Sequence, residues 1–211
     1  ITLNIIRSGL VIGGGASGMA AASAMAEGGF EVYLIEKERE LGGFLRNIYY
    51  TIKGDDAQEY LKDLIERVRE NGLIHTFLGA NIEEISGYVG NFKTTITQGS
   101  ERVKLDHGII IVATGGEEYK SNEYLYGEDP RVITQSELER RLSTSDADHL
   151  DCVVMIQCVG SRNDEHPYCS RVCCGEAIKN ALKIKEKNPN TEVFVLYRDV
   201  RTYGLMENYY K

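Results

Sequence analysis

The chain has 211 residues, 42% of them hydrophobic, enough for one ordinary core or for one α/β domain and part of a second. Its 32 acidic residues outnumber 24 basic ones, for a net charge of −8. That balance counts against a general nucleic-acid binder or a protein drawn to anionic membranes, since both need a basic surface.

Residues 8–26 form the longest uncharged stretch, but five glycines and only three residues from the Leu, Ile and Val set make it a poor membrane span. The same glycines break the compact apolar run that a secretory signal requires. The expectation is a soluble, cytoplasmic protein with no membrane span, in a chain that opens on Ile rather than Met and reads as trimmed. Within the stretch, Gly9-Leu10-Val11-Ile12 reads as a short strand running into Gly13-Gly14-Gly15. A small-residue helix over Ala16–Glu27 and a second strand, Glu31–Glu36, complete a βαβ unit.

Gly13-x-Gly15-x-x-Gly18 therefore stands between a strand and a helix, the setting in which this motif binds a dinucleotide. The first glycine allows the tight turn, the second lets backbone approach a pyrophosphate, and the third lets helix and strand pack closely. Ala16 and Ser17 open the helix, whose free N–H groups and partial positive charge suit phosphates. Glu36 ends the second strand 18 residues beyond Gly18, placed to accept hydrogen bonds from a ribose, and Lys37 follows it. The Glu36 charge disfavours a 2′-phosphate and hence NADP. The plainer alternatives are a Gly-rich turn or a Gly14-x-x-x-Gly18 packing face.

Further along, 56–71 carries apolar residues at helical spacing and stops at Gly72. Four strand candidates follow, at 73–78, 81–88, 92–98 and 101–106, and read as a meander inserted before the apolar strand 108–113. Residues 117–133 are polar and tyrosine-bearing, and Thr134 and Glu137 have capping-box spacing for a helix over 135–142. A second βαβ unit is expected from a strand at 152–158, a helix near 170–187 and a strand at 192–197. The predicted fold is thus α/β. A Rossmann-like dinucleotide-binding domain with an inserted β-meander spans 1–116 (FAD-binding by the resemblance given next), 117–150 connects, and 151–211 forms part of a second Rossmann-like domain.

The glycine fingerprint alone does not separate FAD from NAD. Glu40-Leu41-Gly42-Gly43 after the second strand and Ala113-Thr114-Gly115 after the meander resemble the thioredoxin-reductase-like flavoproteins. That resemblance implies FAD, with Gly42 and Gly43 near the flavin side and Ala113, Thr114 and Gly115 at a close-approach strand end. It also implies that the backbone near Ile82 meets the adenine. Arg46, just past the glycine pair, is a candidate to stabilise an anionic flavin, with a plain solvent-exposed arginine as the alternative.

Four of the five cysteines lie within 17 residues, as Cys158, Cys169, Cys173 and Cys174. Cys158 is expected at the end of the strand opening the second domain and the other three on the first turns of the next helix. There the segment CVGSRNDEHPYCSRVCC replaces a glycine fingerprint, which argues against NAD in that unit. Four thiolates suit a [4Fe–4S] cluster or zinc, and redox thiols or burial remain open. Adjacent Cys173 and Cys174 point about 100° apart on a helix, unlike paired zinc knuckles. Arg162, Arg171 and the helix N-terminus offer compensating positive charge. Cys152, outside the spacing, is expected in the core. No catalytic triad is readable. The histidines at 75, 107, 149 and 166 are scattered, with His166 expected to be a solvated loop residue.

The segments GGGASGM, EKERELGG, EISGYVGNFKTTI, IIIVATGGEEY, MIQCVGSRNDEHPYCSRVCC and LYRDVRTYG together resemble the A subunit of soluble heterodisulfide reductase and its bacterial homologues. The resemblance covers nearly the whole chain. It implies an FAD-dependent electron-transfer subunit that passes electrons between flavin and a [4Fe–4S] cluster held at the positions of Cys158, Cys169, Cys173 and Cys174. It implies as partners the other subunits of such a complex and an electron-donating enzyme. The family's ferredoxin-like C-x2-C-x2-C motifs are not found, and no cysteine pair follows Gly43, so disulfide reduction is expected in a partner subunit. The rival readings are an NAD(H)-dependent flavoprotein reductase with a zinc or redox-thiol site, and a non-catalytic scaffold fragment.

Overall fold

The computed structural model describes residues 5–144, 150–204 and 207–210. His149 lies outside the described residues. The chain divides into two compact units. One comprises the described residues up to Arg46 together with Asp56–Glu117, and the other comprises Asn47–Asp55 and the described residues from Glu118 onward.

The first unit is built on a parallel sheet in the order β3-β2-β1-β7. Its strands are β1 (Ser8–Ile12), β2 (Glu31–Glu36), β3 (Ile74–Leu78) and β7 (Ile109–Val112). Because side chains alternate along a strand, each strand supplies two faces. Val11, Val32 and Leu34 pack under helices α1 (Ala16–Glu27) and α2 (Ala57–Glu70), against Met19, Ala22, Leu61, Leu64 and Val68. Their neighbours Leu10, Tyr33 and Ile35 face the other way, onto Ile96, Leu105 and Val103 of a second sheet. That sheet is the antiparallel β4 (Ala80–Tyr88), β5 (Asn91–Gln98) and β6 (Glu101–His107). Helix α2 begins where expected because the Asp56 side chain accepts from the Gln58 and Glu59 N–H groups.

The expected four-stranded meander has three strands here. Residues 74–78 join the parallel sheet beside β2, because Ile74 is buried against α1 and α2 and carries the sheet outward. His107 is a core residue: fully buried, stacked on Phe92, with its ring nitrogens bonded to Thr94 Oγ1 and the Ile109 carbonyl, and burial lowers its pKa.

The second unit holds α3 (Gln135–Ser143), β8 (Cys152–Ile156), α4 (Cys173–Lys187) and β9 (Glu192–Leu196), with a short α5 (Glu207–Tyr210). Strands β8 and β9 pair in parallel. The expected capping box at Thr134 and Glu137 is formed. Tyr50, Leu138, Leu142, Met155, Ala177 and Ile184 make its core. The opposite face of the strand pair, with Val154, Ile156, Phe194 and Leu196, is exposed. Cys152 shares that face and is exposed, not in the core as expected, since it has the strand parity of Val154 and Ile156.

Segment 47–55 belongs to this unit through Glu139, which is 1% exposed. Its carboxylate accepts from the Tyr49 and Tyr50 N–H groups and from Lys179 Nζ at 2.7 Å, and the Tyr50 hydroxyl donates to Asn180. A buried charge is tolerated there because its oxygens are fully engaged.

Candidate functional site

Two groups of residues stand at the carboxyl ends of parallel strands, the usual place for ligands in such sheets. In the first unit they gather after β1, β2 and β7. Gly13, at φ +108°, turns the chain out of β1, and a Cβ there would collide with the carbonyl of Ala113. A Cβ on Gly18 would collide with the Gly13 carbonyl. Around Gly15, by contrast, a Cβ would meet nothing within 4 Å among the described residues. Two of the three glycines are therefore demanded by the fold itself, and the middle one guards open space at the helix start.

Gly15 caps α1 without any side-chain hydrogen bond, and the first N–H with an intrahelical partner is that of Met19, bonded to the Gly15 carbonyl. The N–H groups of Ala16, Ser17 and Gly18 precede the ladder, as at any helix start. Ser17 is exposed and Ala16 half-buried. Gly42 bonds back to the Gly14 carbonyl at 2.8 Å, and Gly43 lies against the Gly15 Cα. The Gly42-Gly43 turn and the fingerprint loop thus form one surface. Thr114 and Gly115 are exposed on its rim, and the Ala113 N–H is bonded to Ile12.

Glu36 is only 6% exposed, and its two oxygens accept from the Gly14 N–H at 2.6 Å and the Glu38 N–H at 2.8 Å. The residue therefore shapes the fingerprint loop, with its remaining lone pairs left for a ligand. Lys37 pairs with Glu117 at 2.9 Å, both exposed. Arg46 is held by the Leu41 carbonyl at 2.7 Å and by Glu40 at 3.2 Å, so its guanidinium is tied down beside the glycine pair. Ile82 is half-buried on β4 opposite Ile96, at the edge of a bulge. A cradle that a Cβ at residue 15 would fill, with helix N–H groups on its edge, fits a dinucleotide pyrophosphate.

In the second unit the cysteine-bearing loop follows β8. Cys158, Arg162 and Arg171 all adopt positive φ, an uncommon conformation for non-glycine residues that clusters at functional sites. Arg171 at φ +66° also explains why α4 starts at Cys173 rather than near 170, leaving Cys169 in the loop. Only Cys173 and Cys174 of the expected three lie on the helix.

Cys173 and Cys174 are adjacent at the start of α4, and the Cys174 thiol donates to the Asp199 carbonyl at 3.9 Å. Burial pushes the Cys174 thiol up, the Arg201 N–H opposes this, and the charges of Cys173 and Cys158 add to the rise. The Cys169 sulfur accepts from the Arg171 N–H at 3.3 Å. No three His, Cys, Asp or Glu side chains among the described residues converge on one ion position. Cys158, Cys169, Cys173 and Cys174 are thiol donors of the kind that both zinc and a [4Fe–4S] cluster take.

Sequence reasoning missed Asp199 and Arg201. Asp199 pairs with Arg162, whose Nη1 also lies 4.0 Å from Cys158 Sγ, and with Arg201 Nε at 2.9 Å. An Arg-Asp-x-Arg run just past the end of β9 was the available signal. His166 is half-buried in its loop, not fully solvated: its Nδ1 is buried, with no hydrogen-bond partner among the described residues, beside the rings of Tyr119 and Tyr168. No helix among the described residues is long and apolar enough to cross a membrane.

Residues 8–155 match the family described as pyridine nucleotide-disulphide oxidoreductase. The chain is 29% identical to the iron-sulfur A subunit of the CoB–CoM heterodisulfide reductase of Methanocaldococcus jannaschii, over 99% of this chain and 46% of that protein. It is 28% identical to the A subunit of the H2/formate:CoB–CoM heterodisulfide, ferredoxin reductase of Methanococcus maripaludis, with the same coverage. The resemblance to the heterodisulfide reductase A subunits thus extends over nearly the whole chain, while the chain spans about half the length of these curated relatives. The alignment with the first runs over 303 residues, more than this chain has, so that relative carries additional residues inside the matched region. Among solved structures, L-proline dehydrogenase from P. horikoshii is similar in fold, with a TM-score of 0.55 at 16% identity over 95% of this chain and 37% of that one.

Proposed function

The chain belongs to the pyridine nucleotide-disulphide oxidoreductase family, and on that premise we propose that it is an FAD-dependent electron-transfer subunit of a heterodisulfide-reductase-like complex, acting in the cytoplasm. Its first unit would hold FAD, and its second a [4Fe–4S] cluster. When bound, FAD supplies two-electron chemistry that can be divided into single electrons, and the cluster supplies a one-electron couple.

The residues of this chain do the rest. The N–H groups of Ala16, Ser17 and Gly18 would bind pyrophosphate over Gly15, and Glu36 would take the ribose hydroxyls with its spare lone pairs. Gly42 and Gly43 keep the backbone low beside that loop, Ala113-Thr114-Gly115 forms the opposite wall, and Ile82 offers backbone to the adenine. Arg46, held by Leu41 and Glu40, would lend positive charge near the flavin ring. Cys158, Cys169, Cys173 and Cys174 would ligate the cluster. Arg162, with Nη1 4.0 Å from Cys158 Sγ, would offset the negative charge of the thiolates.

The observation that carries this reading is the placement of Cys158 just after β8 and of Cys173 and Cys174 at the start of α4, where a dinucleotide-binding unit would have glycines. The test is anaerobic purification followed by flavin, iron and acid-labile sulfide analysis. We expect flavin together with about four irons per chain. Flavin with zinc and no sulfide would overturn the cluster assignment in favour of a zinc flavoprotein, and absence of both cofactors would overturn the reading altogether.

A further inference from the structure

The loop that presents Cys158 is fastened from one side. Arg198 Nη1 bonds the Arg162 carbonyl, and Asp199 grips the Arg162 guanidinium on one edge and Arg201 Nε on the other. Residues 198–201 lie just beyond β9, so the strand that pairs with β8 also delivers the clamp for the loop leaving β8. Arg162 is 22% exposed by side chain and sits at φ +59°, a conformation that costs energy unless the surroundings enforce it. Its Nη1 lies between the Asp199 carboxylate and the Cys158 sulfur, 4.0 Å from the latter. The same segment supplies the Asp199 carbonyl, which accepts from the Cys174 thiol at 3.9 Å.

We propose that Arg162 is a potential-setting neighbour of the sulfur site and Asp199 its positioning residue, an assignment that rests on the cluster reading above. A guanidinium donating to a ligating thiolate stabilises the more negative, reduced state of an iron–sulfur centre and so raises its reduction potential. Arg suits the position because its planar fork serves a carboxylate and a sulfur at once, which the Lys point charge does not. Asp199 keeps the guanidinium from swinging into solvent. Without it, Arg162 retains its charge but loses its fixed place beside Cys158.

The test is an EPR-monitored redox titration of the anaerobic holoprotein and three variants: Arg162→Gln, Asp199→Asn and the double variant. At full iron content, Arg162→Gln is expected to lower the midpoint potential by about a tenfold change in the redox equilibrium, about 59 mV for one electron. In the Asp199→Asn background the same change should shift the potential much less, because the guanidinium no longer stands at the sulfur. Equal shifts in both backgrounds would overturn the positioning role of Asp199, and no shift in either would overturn the role of Arg162. If Arg162→Gln loses iron, Arg162→Lys decides: retention of iron with a potential between those of wild type and an Asp199→Asn control supports the charge role, and loss of iron there too would overturn it. A wild-type protein without iron or sulfide would instead remove the cluster reading itself.

Discussion

A Cβ on Gly18 would fall on the carbonyl oxygen of Gly13, whereas one on Gly15, between them in the same loop, would touch none of the described residues. The three glycines of one motif thus answer to different masters. Gly13 and Gly18 serve the packing of α1 on β1, and Gly15 serves whatever enters the space above.

That difference separates folding from binding. Gly18→Ala is expected to destabilise the protein by about 1–3 kcal/mol, since the backbone it meets cannot step aside as a side chain would. Gly15→Ala should leave the melting temperature unchanged or slightly raised, because its φ of −75° suits alanine. It should nevertheless lower FAD affinity at least about tenfold by filling the phosphate cradle. Thermal denaturation and flavin-fluorescence titration of the two variants measure both effects. Equal flavin affinity in Gly15→Ala and wild type would contradict the cradle.

Glu36 accepts two backbone N–H groups from a nearly buried position. Glu36→Gln places an amide donor against one of those N–H groups, leaving a buried polar group unsatisfied at a cost of about 1–3 kcal/mol. Lower stability even without flavin is therefore expected, measured by urea unfolding of the apoprotein. A purely ligand-facing Glu36 would show no change in that experiment.

The cysteines should divide by position. Cys158→Ser and Cys169→Ser are expected to lose most of the bound iron, read by metal analysis after anaerobic purification. Cys152→Ser should keep it, since Cys152 is exposed on the open face of β8. Iron retained in full by Cys158→Ser would remove that residue from the ligand set.

Burial and the hydrogen bond to Glu139 push the Glu176 carboxyl up to about 7, with Lys179 opposing. A folded-state value above the ordinary 4.5 means that the native protein holds a proton which the unfolded chain has released. The associated stabilisation is complete below about 4.5 and is lost as pH rises through about 7. Melting temperature should therefore fall between pH 5 and pH 7.5 in wild type, and fall less in Glu176→Gln, which keeps a neutral donor toward Glu139. A parallel decline in both proteins would assign the slope to other groups.

Much of this fold was legible because local signals were strong. The fingerprint between β1 and α1, the Asp56 and Thr134 caps and the Gly-separated strands of the meander are all short-range chemistry. What escaped depended on partners distant in sequence. Residues 74–78 read like one more meander strand, and only pairing with β2 puts them in the parallel sheet. Segment 47–55 follows the first unit in order but is drawn to the second by buried Glu139, 89 residues beyond Tyr50. Cys152 looked apolar in context, yet strand parity turns it outward. At the sulfur site the cysteines were visible as a cluster, while Asp199 lies 37 residues beyond Arg162, and their partnership appears only when β9 pairs with β8.

The proposed function puts a flavin cradle and a sulfur-ligated iron centre on one chain. EPR spectroscopy of the dithionite-reduced, oxygen-protected holoprotein tests it most directly. An iron–sulfur signal is expected in the flavin-loaded wild type, and it should vanish in Cys158→Ser while the flavin remains. A flavin-loaded wild-type protein that is EPR-silent under strong reduction and contains no sulfide would contradict it.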